Sequence, residues 1–147
     1  LNYYSCDTLC SVQMNGVLNG LKELDWVPGE NFNVVTVGID PEETSSLAAR
    51  ERNNYLEALN KQGASWEFLV GEQSNISVIA EEVGYRYTYD EVNKQYAHPA
   101  VIMILSPTGN ISRYLYGLNY PARELKFSLM EAAEGKVGST VEKIILS

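Results

Sequence analysis

The sequence predicts a single α/β sandwich domain over residues 1–147. Amphipathic helical patterns alternate with short apolar strand patterns, and no repeat, low-complexity segment or linker interrupts them. Apolar residues make up 45% of the chain, which is ample for the core of one domain. Residues 1–4 have the pattern of a strand end with no beginning, so we expect the domain to be truncated at its N-terminus.

The first half of the chain should contain two helices and one strand. An apolar face at helical spacing predicts the first helix and consists of Val17, Leu21 and Leu24. Residues 33–39 are rich in β-branched side chains and predict a buried strand. Residues 44–62 predict the second helix, with Thr44 as a possible N-cap and Gly63 as the stop.

The middle of the chain predicts a strand, a short helix and a longer strand. Residues 66–70 alternate between apolar and other side chains, which is typical of a strand. The third helix is predicted from the i, i+3, i+4, i+7 spacing of Ile76, Ile79, Ala80 and Val83. Residues 100–105 are apolar without alternation, so we expect a central strand covered on both faces. The intervening residues 85–97 are rich in tyrosine and should form a surface loop or ribbon.

The C-terminal part predicts a β-hairpin followed by a helix. Ser106, Pro107, Thr108 and Gly109 fit a type I turn. Residues 111–116 are the expected partner strand. Pro121 can begin the last helix, because a residue of the first turn needs no N–H partner, and this helix should end near Gly135. Residues 141–146 predict a short apolar strand or docking segment.

Composition and charge exclude several functional classes. The formal net charge is −8, and the eleven Lys and Arg residues are scattered, whereas nucleic-acid binding needs clustered cations. No run approaches 18 apolar residues, so nothing in the sequence predicts a membrane span. The chain begins with Leu1, and we expect that an N-terminal signal or anchor belongs to a longer natural protein.

The two cysteines, Cys6 and Cys10, are the first candidates for chemistry. They lie where a strand end runs into the first helix, and the dipole at a helix N-terminus stabilises a thiolate. A thiolate is both a nucleophile and a metal ligand. A structural disulfide and two buried apolar side chains are the alternatives, and spacing alone leaves them open. The spacing is one residue wider than Cys-x-x-Cys, which suits two sulfurs on one metal.

Four segments, in order and over nearly the whole chain, resemble the Sco/SenC family. They are residues 3–10 (YYSCDTLC), 37–42 (VGIDPE), 96–100 (YAHPA), and 107–109 with 114–117 (PTG and YLYG). The chain departs from the family pattern at Asp7 and Ser11, where proline is frequent in members. The resemblance places His98 at the position of the family's metal-binding histidine.

The resemblance implies a thioredoxin-like three-layer sandwich, with a central mixed sheet flanked by helices, and it implies that the family's N-terminal strands are missing from this chain. It implies one copper ion, Cu(I) or Cu(II), held by Cys6, Cys10 and His98. Members act outside the cytoplasm, in the periplasm in bacteria, and are anchored to a membrane. Their partner is subunit II of cytochrome c oxidase or another copper or thiol client, in which they assist CuA assembly as metallochaperones, as thiol reductants or as both.

The donor set agrees with copper on chemical grounds. Thiolate suits Cu(I), and imidazole extends stability to Cu(II). His98 is the only histidine of the chain, although a lone histidine often has a structural role. The bond before Pro99 could be cis, but trans is the usual form.

Three further side chains near these segments are weaker candidates. Asp40 could support the site from outside the ligand set or contact a partner, and a turn with Pro41 is the alternative. Asp7 could tune the charge at the site or complement the helix dipole. Met14 could be a soft ligand but, one turn inside a helix, is expected in the core.

Three functions fit these observations. The first is the copper-binding assembly factor, in which binding depends on His98. The second is an extracytoplasmic thiol–disulfide oxidoreductase, in which a Cys6–Cys10 redox pair works without metal. The third is a binding module with a structural cysteine pair and a very negative reduction potential. The dependence of copper binding on His98 separates all three.

Overall fold

The computed structural model describes residues 1–5 and 9–137, and of residues 9 and 10 it describes the backbone. Helices and short strands alternate over its first half, and two β-hairpins and a last helix follow, so the α/β class is confirmed. The helices are α1 (Leu9–Glu23), α2 (Ser45–Leu59), α3 (Gln73–Glu82) and α4 (Ala122–Ala133). The strands are β1 (Val35–Val37), β2 (Glu67–Leu69), β3 (Thr88–Asp90), β4 (Gln95–Ala97), β5 (Val101–Leu105) and β6 (Ile111–Tyr116).

The described strands form three two-stranded ladders, one parallel and two antiparallel. β1 pairs in parallel with β2. β3 and β4 form one antiparallel hairpin, and β5 and β6 form another. Asn2 adds a parallel bridge beside Gly38, because its N–H donates to Val37 O at 2.9 Å and its own carbonyl accepts from Ile39 N at 2.7 Å. The beginning of the chain therefore lies alongside β1, and the pairing is mixed, as predicted.

The buried side chains of the described residues form two clusters. The main core joins α1, α2 and α4 to the strands, and the second core joins α3 to the beginning of the chain. The main core includes Val17, Leu21, Leu24, Trp66, Phe68, Ile104, Leu115 and Leu125. The second core consists of Tyr3, Ile39, Ile76, Ala80, Tyr85 and Val101. Val101 and Ile104 are three residues apart on β5, so they point to opposite faces and serve different cores.

Several predicted bounds and faces are corrected. The strand predicted over residues 33–39 covers only Val35–Val37. α2 begins after the predicted cap Thr44, but it ends at Leu59 because Asn60 adopts a left-handed conformation (φ 51°) that asparagine tolerates. Ile79 on α3 is 40% exposed rather than core. Leu105, at the end of the predicted central strand, is 46% exposed.

The C-terminal prediction is confirmed in its main features. The Ser106 carbonyl accepts from Gly109 N at 2.9 Å, which closes the predicted turn between β5 and β6. Pro121 is the N-cap of α4. The tyrosine-rich segment is the β3–β4 ribbon. Residues 141–146 lie outside the described residues. Within the described ranges, no helix has both the length and the apolar character needed to cross a bilayer.

Candidate metal centre

Cys10 occupies the first turn of α1, as its position before the apolar helical face predicts. Cys6 and Asp7 lie outside the described residues, and so does the side chain of Cys10. Described residues flank the two cysteines on either side. These are the segment 1–5, which precedes Cys6, and the part of α1 that follows Cys10.

His98 lies between β4 and β5 and is partly buried among aromatic rings. Its ring meets the ring of Tyr3 edge-on at a centroid distance of 5.7 Å and that of Tyr85 at 6.2 Å. Its Nδ1 is 3.1 Å from the carbonyl oxygen of Pro99, and the peptide bond to Pro99 is trans. Burial lowers the pKa of His98, and the backbone contact at Pro99 opposes that shift. The environment therefore favours the neutral imidazole.

The Pro99 contact selects one tautomer of the imidazole. A carbonyl oxygen only accepts hydrogen bonds, so Nδ1 must carry the proton in this contact. The lone pair suited to a metal is then on Nε2, which is a common arrangement for a histidine ligand. A neutral, oriented imidazole fits a copper donor set that also contains two thiolates.

Both flanks of the cysteine segment contact the chain around His98. Tyr3, three residues before Cys6, makes the ring contact with His98. Gln13, three residues after Cys10, is 3% exposed, and its Nε2 donates to Val101 O at 3.3 Å. Three residues span at most about 10 Å. The fold therefore brings both described flanks of the cysteine segment to the side of the molecule where His98 lies.

Glu43 is a residue of this region that the sequence analysis missed. One carboxylate oxygen accepts the N–H of Tyr4 at 2.9 Å, and the other accepts the N–H of Ser5 at 2.7 Å. Ser5 directly precedes Cys6. The neighbouring Asp40-Pro41-Glu42 motif was the only local signal, and it drew attention to Asp40.

Tyr4 is held at its other end as well. Its hydroxyl donates to Leu69 O of β2 at 2.7 Å, and its ring stacks on Phe68 at 5.7 Å. Burial, followed by the negative charge of Glu43, raises the pKa of Tyr4 well above its ordinary value. Gly38 makes room for this ring, since a Cβ there would lie 2.9 Å from the Tyr4 ring.

The weaker candidates have structural contacts. Asp40 accepts the N–H of Glu42 at 2.9 Å. This contact forms the turn at Pro41 that the sequence offered as the alternative role of Asp40. Its supporting role at a metal stays a prediction. Met14 packs against the main core, as expected. Tyr96 is central to the tyrosine ribbon and contacts the rings of Tyr3 at 5.4 Å and Tyr89 at 5.0 Å.

No cluster of three or more His, Cys, Asp or Glu side chains suited to a metal occurs among the side chains that the structure describes. That set contains His98 and excludes both thiols. The predicted ligand set of Cys6, Cys10 and His98 thus stays a prediction. The chemical fit with copper rests on the neutral imidazole of His98 and on the two cysteines of the sequence.

The chain is similar to known proteins in sequence and in fold. The model of the SCO1/SenC family matches residues 1–133. No functionally curated protein gives a significant match. A protein of Aquifex aeolicus VF5 with a proposed role in electron transfer is 26% identical, with a TM-score of 0.77 over 91% of this chain and 75% of its own.

Two further solved structures share the fold at lower identity. A SCO1/SenC family lipoprotein of Bacillus anthracis str. Ames is 16% identical, with a TM-score of 0.66 over 89% of this chain and 77% of its own. Arabidopsis thaliana ScoI with copper bound is 17% identical, with a TM-score of 0.60 over 91% and 80%. At these identities the similarity concerns the fold.

Proposed function

The chain belongs to the SCO1/SenC family, and from this premise we propose that it binds copper as cargo through Cys6, Cys10 and His98. We further propose that it acts in the assembly of the CuA centre of cytochrome c oxidase, by copper delivery, by thiol reduction or by both. Its partner is then subunit II of the oxidase or another copper or thiol client.

One observation carries the proposal: residues on both sides of the cysteine segment contact the segment around His98. The Tyr3 ring meets the His98 ring at 5.7 Å, and Gln13 donates to Val101 O at 3.3 Å. These contacts join residues that are 95 and 88 positions apart in the chain. A ligand set drawn from the same two parts requires this proximity.

The chemistry of the ligands supports the choice of metal. Two thiolates favour Cu(I), and a neutral imidazole adds a ligand that Cu(II) also accepts. Burial keeps His98 in the neutral form that binds metal, since it lowers the pKa of the ring. Three protein ligands also leave a coordination position through which a client could take the ion.

Thiol reduction uses the same cysteines without metal. A Cys6 or Cys10 thiolate attacks one sulfur of a client disulfide, and the other sulfur of that disulfide leaves as a thiolate. The second cysteine then resolves the mixed disulfide. The client gains two electrons and two protons, and this chain ends with a Cys6–Cys10 disulfide. The electron-transfer role proposed for the similar Aquifex aeolicus protein favours this as the second candidate function.

Both reactions suit an extracytoplasmic compartment. Disulfide exchange with clients takes place where disulfides persist, such as the bacterial periplasm. One solved structure with the same fold belongs to a lipoprotein of Bacillus anthracis. We propose that the full-length protein is held at the outer face of a membrane by an anchor outside residues 1–147.

A Cu(I) competition titration tests the ligand set. The wild-type chain should bind one copper ion, and Cys6→Ala, Cys10→Ala and His98→Ala should each lower the affinity by about 100-fold or more, beyond the usual effect of outer-shell changes. Gln95→Ala is the matched control, because Gln95 is an exposed residue of β4 near His98. Unchanged affinity in His98→Ala would overturn the three-ligand site. Retained disulfide reductase activity in that variant would favour the second candidate function.

A further inference from the structure

We propose that Glu43 is a positioning residue, whose carboxylate fixes the backbone that leads into Cys6 and thereby sets the geometry of the cysteine pair. This inference rests on the proposed function, because it assigns Glu43 a role in the same copper and thiol site. Glu43 does not supply a ligand. It acts through the peptide units of Tyr4 and Ser5.

The first support is the two-point contact between Glu43 and the chain. Its two oxygens accept consecutive backbone N–H groups, Tyr4 at 2.9 Å and Ser5 at 2.7 Å. Charge-assisted hydrogen bonds of this kind are about twice as strong as neutral ones. Since two adjacent donors meet two oxygens of one rigid carboxylate, the contact fixes both the position and the direction of the chain before Cys6.

The second support is that Glu43 is itself held on a rigid element. Its N–H donates to Asp40 O at 3.2 Å, and the Asp40 carboxylate accepts from Glu42 N at 2.9 Å, which defines the turn before it. The next residue, Thr44, caps α2 by accepting from Leu47 N at 3.2 Å. A carboxylate between a closed turn and a capped helix can hold another segment in place.

The third support is the anchoring of Tyr4 on its opposite side. The Tyr4 hydroxyl donates to Leu69 O, and the ring lies on Phe68 in the main core. The residue is therefore fixed through its side chain to β2 and through its N–H to Glu43. Gly38 keeps the space open, because a Cβ there would lie 2.9 Å from the ring and 3.4 Å from the Glu43 carboxylate.

These contacts specify what the side chain at position 43 must provide. It must offer two acceptor oxygens at the reach of glutamate. A glutamine has one acceptor oxygen and an NH₂ group that only donates, so it would meet one of the two N–H groups with a donor. An aspartate keeps both oxygens but is shorter by one methylene. The two substitutions should therefore damage the site to different degrees.

The experiment compares Glu43→Gln, Glu43→Asp and the matched control Glu42→Gln. Glu42 is the neighbouring exposed glutamate, so its change removes the same charge and leaves the Tyr4 and Ser5 contacts intact. Each variant of the 1–147 chain is titrated with Cu(I) against a competing chelator. The thiolate-to-copper absorption band is then recorded after loading with Cu(II), and urea unfolding measures stability.

Glu43→Gln should weaken Cu(I) binding by about tenfold, within the range known for residues that orient metal ligands, and should shift the Cu(II) absorption band. Glu43→Asp should lie between Glu43→Gln and the wild type, and Glu42→Gln should match the wild type. A band shift distinguishes altered ligand geometry from a general loss of stability. If Glu43→Gln does not fold, Glu43→Asp carries the same comparison.

Wild-type affinity and an unshifted band in the folded Glu43 variants would overturn the positioning role. If Cys6→Ala and His98→Ala still lose copper in that case, the proposed function survives while this inference fails. If neither of them affects copper binding, the proposed function itself fails. The two failures are therefore distinguishable in one series of titrations.

Discussion

Lys61 should be a main stabiliser of the helix that carries Cys10, because its ammonium caps the carboxyl end of α1. It donates to Leu21 O at 2.6 Å, to Trp26 O at 3.0 Å and to Leu24 O. The last carbonyls of a helix have no partner within the helix. All three ammonium hydrogens thus meet carbonyl oxygens at the negative end of the helix dipole.

The expected magnitude follows from these contacts. A hydrogen bond to a charged group contributes about 1.5–3 kcal/mol, and a cation at a helix C-terminus contributes up to about 2 kcal/mol in partly buried geometry. The contributions are not additive, because Lys61 is only partly buried and water can replace it at some of the carbonyls. We therefore expect Lys61→Met to lower the free energy of unfolding by about 2–3 kcal/mol.

Urea unfolding followed by tryptophan fluorescence measures this loss, and Tm should fall by about 5–10 °C for a domain of this size. Lys22→Met is the matched control. Lys22 is exposed in the last turn of the same helix, and its substitution removes the same charge. A Lys61→Met variant within about 0.5 kcal/mol of that control, the usual range for surface substitutions, would refute the capping argument.

Two further substitutions test close packing and ion pairing by the same unfolding measurement. Gly20→Ala should lower the free energy of unfolding by about 2 kcal/mol despite alanine's better helix propensity, because its Cβ would clash with the backbone oxygen of Tyr120. A gain in stability would contradict this packing. Arg113→Met should lower the free energy of unfolding by about 3 kcal/mol, because it removes the partner of the Glu131 carboxylate. That carboxylate is 13% exposed and lies 3.0 Å from the Arg113 guanidinium. Lys126→Met breaks a largely exposed pair and should cost about 1 kcal/mol or less, so equal losses would contradict the role of burial.

The sequence predicted the helices and the hairpin well because their signals are local. The apolar face of α1 and the turn at residues 106–109 depend on residues within one or two turns of each other. Strand bounds were predicted less well, since ladder pairing with distant residues decides where a strand ends. The exposure of Ile79 has a similar origin, because only the packed structure determines which side of α3 is covered.

The residues of the candidate site likewise fall into those that the sequence indicates and those that only the fold reveals. His98 was found because the family resemblance marks its position, and the structure adds the rings of Tyr3 and Tyr85 around it. Gln13 was not recognised, because a buried amide inside a helix has no local pattern that separates it from a surface glutamine. Its 3% exposure and its bond to Val101 O emerge only from the fold.

Glu43 shows why a contact to backbone is hard to find from a sequence. Its partners are the N–H groups of Tyr4 and Ser5, which any residue except proline would supply. The side chain at position 5 can therefore change without loss of the contact, whereas the side chain at position 43 cannot. Substitutions other than proline should accordingly be tolerated at Ser5, whereas those at Tyr4 are restricted by its ring and hydroxyl and those at Glu43 are costly. Reactive side chains alone do not point to Glu43, because its described partners are backbone N–H groups.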